Sequence, residues 1–228
     1  MKLSFGTSCM ERLHHLSETY IKNIDTALKF DDTITFVLLN YNSRDGMDSW
    51  VNENLNTYIQ SGVVRYMHTT IPTEFSQSHA KNITMKHGSG EVVCNLDADN
   101  FLSEKFLKKL YSVFAESDGP VILAGEQLEG VAGRIACRKE HLYELGGFDE
   151  YTFTGWGGED LDFIHRFELY YNTTCVKLGF EYLEEAINTD HENQLRIHRD
   201  LHKNERLSKQ KIGRGELICT KENWGELP

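Results

Sequence analysis

The sequence predicts an α/β fold in which one domain is built on a mixed central sheet. The chain length of 228 residues suits a single hydrophobic core. Short apolar runs alternate with amphipathic stretches up to about residue 119, a pattern typical of parallel strands joined by crossover helices. Beyond that point strands outnumber helices. We therefore expect 1–228 to form one domain, with an N-terminal half at 1–119, a second half at 120–205 and a C-terminal extension at 206–228.

Four strands are expected in the first half, each ending in a polar loop. The second, Thr35-Phe-Val-Leu-Leu39, is continuously apolar, as a strand buried on both faces should be. Ligands of open α/β sheets bind outside the carboxyl ends of the strands, so the loops at Thr7, Asn40 and Asp97 are expected to converge on one site. The predicted strands are 3–7, 35–39, 63–68 and 91–96.

Helices are expected between these strands because apolar residues recur there at spacings of three and four. Leu13, Leu16 and Tyr20 show this spacing in the first such stretch, and Phe106 and Leu110 show it after the fourth strand. In the second half, further strands are expected to extend the sheet and form the other wall of a cleft. The remaining predicted helices are 8–27, 48–60 and 76–87, and the remaining predicted strands are 121–124, 133–137 and 174–180.

Composition narrows the function classes. A net charge of -11 disfavours nonspecific binding to nucleic acid, whose phosphates require clustered Lys and Arg. The five cysteines are odd in number and widely spaced, as in reduced cytosolic proteins. The first residues lack a signal peptide, and no stretch approaches the length of a membrane span. We expect a cytoplasmic chain without a transmembrane segment; peripheral association with the inner face of the membrane and the oligomeric state stay open.

Two carboxylates follow the fourth predicted strand in VVCNLDADN, residues 92–100. Side chains two apart on a strand point the same way, so Asp97 and Asp99 can reach one hard cation such as Mn²⁺ or Mg²⁺. Such a cation keeps open positions for phosphate oxygens. The alternative is an Asp-rich turn that begins the next helix, with Asp99 or Ser103 as its N-cap.

A glycine-rich loop precedes further carboxylates in GWGGEDLDF, residues 155–163. Gly155, Gly157 and Gly158 allow a ligand to approach the backbone closely. Glu159 and Asp160 are expected at a helix N-terminus, which stabilises negative charge, and could be capping residues only. Trp156 offers an aromatic face on which a sugar ring could pack.

The two motifs together carry a resemblance. GGFDE followed by GWGGEDLDF resembles the acceptor-side signature of the β-1,4-galactosyltransferases and of related bacterial family 2 glycosyltransferases, and Asp97-Ala98-Asp99 resembles their DxD motif. The resemblance covers roughly residues 1–205. It implies a GT-A fold, a nucleotide-sugar donor bound mainly by 1–119, an acceptor bound by 120–205, a divalent metal, and inversion at the anomeric carbon.

The resemblance also implies roles for single residues. Asp160 matches the general base, Glu159 the neighbour that contacts the acceptor, and Trp156 the tryptophan of the mobile acceptor loop. Asp99 matches the carboxylate that ligates the metal directly. Leu161 replaces an acidic residue of the family, while Asp162 is expected mainly to support the helix. A metal-binding histidine is implied after a late strand: His191 is preferred and His198 is the alternative, with His202 also nearby in a stretch that could be a polar, solvated helix.

Further substrate contacts are expected around the cleft. Tyr41 could stack on the nucleotide base, and Lys81 lies in a helix resembling the one that approaches the donor phosphate in family 2 enzymes; an exposed helix cation is its alternative. The candidate substrate-binding residues, besides Asp97 and Trp156, are Thr7, Arg12, Asn40, Asn42, Asp45, Lys81, Arg134, Gly157 and Gly158.

The sequence thus favours a metal-dependent inverting glycosyltransferase. It would move a hexose or N-acetylhexosamine from a UDP-sugar to a hydroxyl of a saccharide or glycolipid acceptor, in polysaccharide or glycolipid synthesis. Two alternatives stay open: a catalytically inactive nucleotide-sugar-binding protein, and a metal-dependent phosphohydrolase or nucleotidyltransferase that uses the carboxylates on a phosphate ester.

Overall fold

A computed structural model describes most of the chain. The described residues are 1–126, 133–153, 157–182, 186–187, 201–219 and 222–227.

One mixed sheet runs through the described part of the chain. Its seven strands lie in the order β3-β2-β1-β4-β6-β5-β7. β1 pairs in parallel with β2 and β4, whereas β6 is antiparallel to both β4 and β5. The predicted mixed α/β sheet is therefore confirmed. The strands are β1 Leu3–Cys9, β2 Thr35–Tyr41, β3 Val64–Thr69, β4 Val92–Asn95, β5 Ile122–Gly125, β6 Ile135–Arg138 and β7 Val176–Leu178.

Helices cover both faces of the sheet. Several boundaries differ from the prediction. β1 continues to Cys9 because Ser8 and Cys9 pair with β2, and β2 continues to Tyr41 because Asn40 and Tyr41 pair with β3, so the predicted loop residues Thr7 and Asn40 lie within strands. The first helix begins at Leu13, and the predicted helix 48–60 is broken at Leu55 into two. The helices are α1 Leu13–Phe30, α2 Met47–Asn54, α3 Asn56–Gln60, α4 Gln77–Lys86, α5 Glu104–Glu116, α6 Lys139–Glu144, α7 Glu159–Tyr171 and α8 Leu201–Gly213, with a short 3-10 helix at Phe180–Tyr182.

The alternation of side chains in β2 divides the core into layers. Phe36 and Leu38 point to the face covered by α1 and α5, while Val37 and Leu39 point to the face covered by α4. Farther along the second face, α6 and α7 bury a separate apolar cluster that includes Phe148. Because the strand is buried on both faces, its unbroken apolar sequence is the pattern required.

Helix α8 and the last described residues pack onto the domain. Trp224 is buried, and its carbonyl oxygen accepts a hydrogen bond of 2.8 Å from Lys86 Nζ on α4. Asn204 and Ser208 form the buried face of α8 against α7 and the loop before it. The segment 206–228, which had no role in the sequence prediction, thus supports elements of the predicted site. Among the described helices, none is long and apolar enough to cross a membrane.

Candidate functional site

The carboxylates of the glycine-rich motif meet a lysine from α4. Lys81 Nζ donates hydrogen bonds to Glu159 Oε1 at 2.9 Å and to Asp160 Oδ1 at 2.7 Å. The side chains of Lys81 and Glu159 are 5% exposed and that of Asp160 is 21% exposed. Lys81 therefore bridges both acidic residues and is not the exposed helix cation of the alternative interpretation.

The start of α7 places these carboxylates. Gly158, the residue before the helix, has a φ of +93°, a conformation that favours glycine. It turns the chain so that Glu159 and Asp160 form the first turn, where the helix dipole stabilises negative charge. On either side, Gln77 of α4 accepts a bond from the Gly157 amide, and Asn204 of α8 donates to the Gly157 carbonyl. Two helices thus hold the end of the predicted acceptor loop.

The two carboxylates of the DxD motif lie directly beyond β4. Asn95 Nδ2 donates to Asp97 Oδ1 at 2.9 Å and to the Gly133 carbonyl at 2.7 Å, which joins the motif to the chain entering β6. Asn100 donates to Asp99 at 2.7 Å. Ser103 accepts a bond from the Phe106 amide and caps α5. Because Ser103 performs this capping, the alternative in which Asp99 is the N-cap is wrong.

Gly133 marks the point where the two motifs meet. A β-carbon placed on Gly133 would lie 2.6 Å from Asp97 Oδ2 and 3.4 Å from both Asp160 Oδ2 and Lys81 Nζ. Charged atoms from the loop after β4, from α4 and from the start of α7 therefore lie around the backbone of Gly133. Any side chain there would occupy the space between the DxD carboxylate and the carboxylate of α7.

Burial and like charge perturb the carboxylates at this meeting point. Burial raises the pKa of Asp99 to about 6, and the charge of Asp97 adds to the shift. Burial also raises the pKa of Asp160 to about 8, with Lys81 opposing the shift and Glu159 adding to it. Clustered carboxylates with raised pKa values are typical of sites that hold a cation or move a proton.

The chemistry of the DxD pair fits a divalent metal ion. Carboxylate oxygens are preferred ligands of Mg²⁺ and Mn²⁺, and the pKa of Asp99 is raised first by burial and then by the negative charge of Asp97, both of which a bound cation would offset. No group of three His, Cys, Asp or Glu with metal-binding geometry occurs among the described residues. The predicted histidine ligands, His191 and His198, lie outside those residues, as does Trp156. His202 is described; its side chain is 99% exposed on α8.

Of the residues predicted on the nucleotide side, Asn42 and Asp45 follow β2 as expected, whereas Asn40 lies within β2. Asp45 Oδ2 accepts from the Leu13 amide at the start of α1. Asn40 is buried and donates to Asp48, while Asn42 donates to the carbonyl of Pro72. These side chains brace the loops around the strand ends, and their direct contact with a nucleotide stays a prediction.

Thr7, Arg12 and Arg134 complete the predicted set. Thr7 is buried and donates to the Leu96 carbonyl just before the DxD motif. Arg12 precedes α1, close enough for its charge to lower the pKa of Asp99 against the effect of burial. Arg134 is buried, and its Nη2 donates to Asn100 at 2.9 Å. Thr7 and Arg134 thus support the DxD loop from inside the protein, and substrate contact by them stays a prediction.

Three contributors were given no role in the sequence prediction. Gly133 was placed in a predicted strand without a role, although a lone glycine within a strand pattern signals close approach of another group. Asn95 lies two residues before Asp97, a spacing that puts both on one face of the strand. Asn82, next to Lys81, exchanges two hydrogen bonds with the backbone of Phe148 in the GGFDE turn. No local pattern predicts that pairing, which spans 66 residues.

Comparison with known proteins places this geometry in context. Residues 122–184 match the family model described as the N-terminal domain of galactosyltransferase. No curated protein sequence matches the chain.

Several solved structures are similar. Mannosyltransferase PcManGT from Pyrobaculum calidifontis, in complex with GDP-Man and Mn²⁺, has a TM-score of 0.65 at 18% identity, over 82% of this chain and 57% of that one. TarS 1-349 of S. aureus has a TM-score of 0.63 at 13% identity, over 98% and 74% of the two chains. A Drosophila β-1,4-galactosyltransferase 7 variant, in complex with manganese, UDP-Gal and xylobiose, has a TM-score of 0.54 at 12% identity, over 89% and 83%.

At these identities the likeness shows the fold. The chain has the GT-A fold of glycosyltransferases, as the sequence resemblance predicted. It spans 57% of the length of the Pyrobaculum protein.

Proposed function

We propose that this protein is a metal-dependent inverting glycosyltransferase that transfers a hexose or N-acetylhexosamine from a UDP-sugar to a hydroxyl of a saccharide or glycolipid acceptor. The observation that carries the proposal is the meeting of Asp97, Asp160 and Lys81 around Gly133. A carboxylate of the DxD motif and a carboxylate of the acceptor-side motif thus lie against the same backbone position, as transfer from a donor at one motif to an acceptor at the other requires.

Asp160 is the general base of the proposed reaction. Its Oδ1 accepts from Lys81, whereas its Oδ2 lies near Gly133, 3.4 Å from where a β-carbon would stand. As the acceptor oxygen bonds to the anomeric carbon, its proton passes to Asp160 and the bond from that carbon to the diphosphate breaks. The electron pair leaves with UDP. One proton acceptor and one leaving group on opposite sides of the carbon are sufficient for a single displacement with inversion.

Lys81 positions the base. Sequence reasoning placed it near the donor phosphate, but the structure pairs it with both Glu159 and Asp160. A buried cation between two carboxylates holds Asp160 in one orientation and offsets the rise in pKa that burial causes. Glu159, held by the same cation, is proposed to orient the acceptor hydroxyl.

Asp97 and Asp99 would hold the divalent metal ion, which when bound supplies positive charge against the charge that grows on the leaving diphosphate. Support for the donor class comes from the similar structures: the Drosophila protein was solved with UDP-Gal and manganese, and TarS was also solved with UDP. The Pyrobaculum protein was solved with GDP-Man, so a GDP-sugar is the competing donor.

Five free cysteines support a cytoplasmic location, either in solution or at the inner face of the membrane.

Release of nucleoside diphosphate from a panel of UDP- and GDP-sugars tests the proposal. Each donor is incubated with and without candidate acceptors, in Mn²⁺ or with chelator. We expect acceptor-dependent, metal-dependent release of UDP. Asp160→Asn should lower turnover about 10²- to 10⁴-fold while donor binding, measured by thermal shift, is retained. Asp118→Asn, a change of the same type at an exposed position, is the control.

Other outcomes separate the alternatives. Donor binding without turnover on any acceptor would favour a nucleotide-sugar-binding protein. Metal-dependent cleavage of phosphate esters that does not depend on Asp160 would favour a phosphohydrolase or nucleotidyltransferase. Full transferase activity of Asp160→Asn would remove Asp160 from the role of base.

A further inference from the structure

A cavity lies away from the carboxylates, beside the C-terminal ends of α7 and α8. Its volume is about 610 Å³, and none of the site residues discussed above lines it. The residues that matter for its chemistry are Asp149, Tyr151, Thr152, Tyr170, Lys211 and Ile218.

The walls of the cavity carry unusually exposed apolar surface. Tyr151 and Tyr170 are each 43% exposed and Ile218 is 42% exposed, and all three are among the few large apolar side chains of the described residues that face solvent. Tyrosine presents a flat apolar face and a polar hydroxyl, a combination that suits the apolar face and the hydroxyl groups of a sugar ring.

The charged groups of the cavity are already paired. Lys211 donates to Asp149 and, at 3.1 Å, to the hydroxyl of Thr152. Glu216, which also lines the cavity, lies 3.7 Å from the guanidinium of Arg214. Paired charges attract neither anions nor cations strongly but still offer hydrogen bonds. A neutral polyhydroxyl ligand therefore fits the cavity better than a phosphate or an acidic glycan does.

The chain segments that line the cavity are the ones that lead to the acceptor side of the candidate site. Asp149, Tyr151 and Thr152 belong to the GGFDE turn and the segment that leads into the glycine-rich loop. Tyr170 lies ten residues beyond Asp160 on the same helix, a distance of about 15 Å along the axis. A short oligosaccharide bound here could therefore extend towards the base.

From these observations we infer that the cavity is a distal subsite for a neutral oligosaccharide, and that the acceptor is an extended saccharide. The second part of this inference rests on the proposed function, whereas the binding of an oligosaccharide does not.

Direct binding tests the subsite. Saturation-transfer NMR and calorimetry are run with maltotriose, cellotriose, chitotriose and xylotriose against the full chain. At least one trisaccharide should bind, and Tyr170→Ala and Tyr151→Ala should each weaken its binding about tenfold. Tyr143→Ala removes a tyrosine that is 45% exposed but lies outside the cavity, and it should leave binding unchanged. Melting curves of all three variants confirm that they fold.

Transfer assays test the link to the reaction. The ratio of kcat/KM for the bound trisaccharide to that for its monosaccharide should fall about tenfold in Tyr170→Ala and not in Tyr143→Ala. The inference is overturned if no trisaccharide binds, if binding is equal in wild type and both cavity variants, or if inorganic phosphate displaces the sugar. Tyr170-dependent binding without transfer from any nucleotide sugar would retain the subsite and refute the proposed function.

Discussion

Replacing Lys81 by methionine isolates the charge that holds the two acidic residues of α7. Methionine keeps most of the length and apolar stem of lysine, so the change removes mainly the ammonium group. The ammonium nitrogen lies 2.9 Å from Glu159 Oε1 and 2.7 Å from Asp160 Oδ1, and the side chain of Lys81 is 5% exposed. The variant leaves two neighbouring carboxylates without their shared cation.

The cost to stability follows from burial. Removing one partner of a buried ion pair typically costs about 3–5 kcal/mol, and each kcal/mol lowers the Tm of a chain of this size by roughly 2–4 °C, so we expect a drop of roughly 10 °C. The exposed fraction of Asp160, 21%, admits some solvent screening and argues for the lower half of the range of free energy. Lys108→Met is the matched control, because Lys108 pairs with Glu104 at the surface, both 64% exposed. Such a pair is worth at most about 1 kcal/mol.

The effect should depend on pH in a defined direction. Burial raises the pKa of Asp160, and Lys81 opposes the shift. Without the lysine this pKa rises further above its value in the unfolded chain, so the carboxylate takes up a proton at low pH and its charge becomes costly at high pH. As pH rises through the pKa of Asp160 in the folded wild type, its carboxylate becomes charged beside Lys81 in the wild type but without a cation in the variant. The difference in Tm between variant and wild type should therefore widen over this pH range. Because the base acts only when deprotonated, the acid limb of kcat/KM should move to higher pH.

Differential scanning fluorimetry between pH 6 and 9, together with the pH profile of UDP release, measures both effects. The reasoning would be refuted by a Tm change no larger than that of Lys108→Met, or by a pH profile that does not move. Either result would mean that the charge of Lys81 is screened by solvent or that another cation takes its place, so that Lys81 does not position Asp160.

Three further predictions follow from the same contacts. Gly133→Ala should place a β-carbon 2.6 Å from Asp97 Oδ2 and lower kcat/KM about 10²-fold through displacement of the site, with little change in Tm; activity at the wild-type level would show that the space is not used. Asp162→Asn should lower the free energy of unfolding by about 3–5 kcal/mol, because Asp162 is buried against Arg166 on the same helix, while turnover at low temperature is retained; lost turnover at normal stability would make Asp162 catalytic. Burial raises the pKa of Asp149, but the hydrogen bonds from Lys211 and Thr152 together with the charge of Lys211 outweigh it and lower the pKa, so the Lys211–Asp149 pair stabilises the fold above the unfolded pKa of Asp149 and ceases to do so as pH falls through the folded value. Lys211→Met should accordingly destabilise the protein in urea at pH 7 more than at about pH 2, which lies well below the unfolded pKa, and an equal loss at both pH values would contradict the pairing.

The sequence by itself determined the features that depend on short-range pattern. The apolar run of β2 predicted a strand buried on both faces, and the structure shows α4 on one face and α1 and α5 on the other. The position of Asp97 and Asp99 after an apolar strand predicted carboxylates at the carboxyl edge of the sheet, where they lie. Strand periodicity and the residues that follow a strand are local properties, and a single sequence displays them.

Only the tertiary structure decided which groups share the site. Lys81 and Asp160 are 79 residues apart in the chain, and their contact requires α4 and the start of α7 to lie over the same edge of the sheet. The same packing brings Gly133 between the two motifs and turns Arg134 into the interior. These contacts depend on how the helices pack against the sheet. That packing results from many contacts between residues far apart in the chain, so no short stretch of the sequence predicts it.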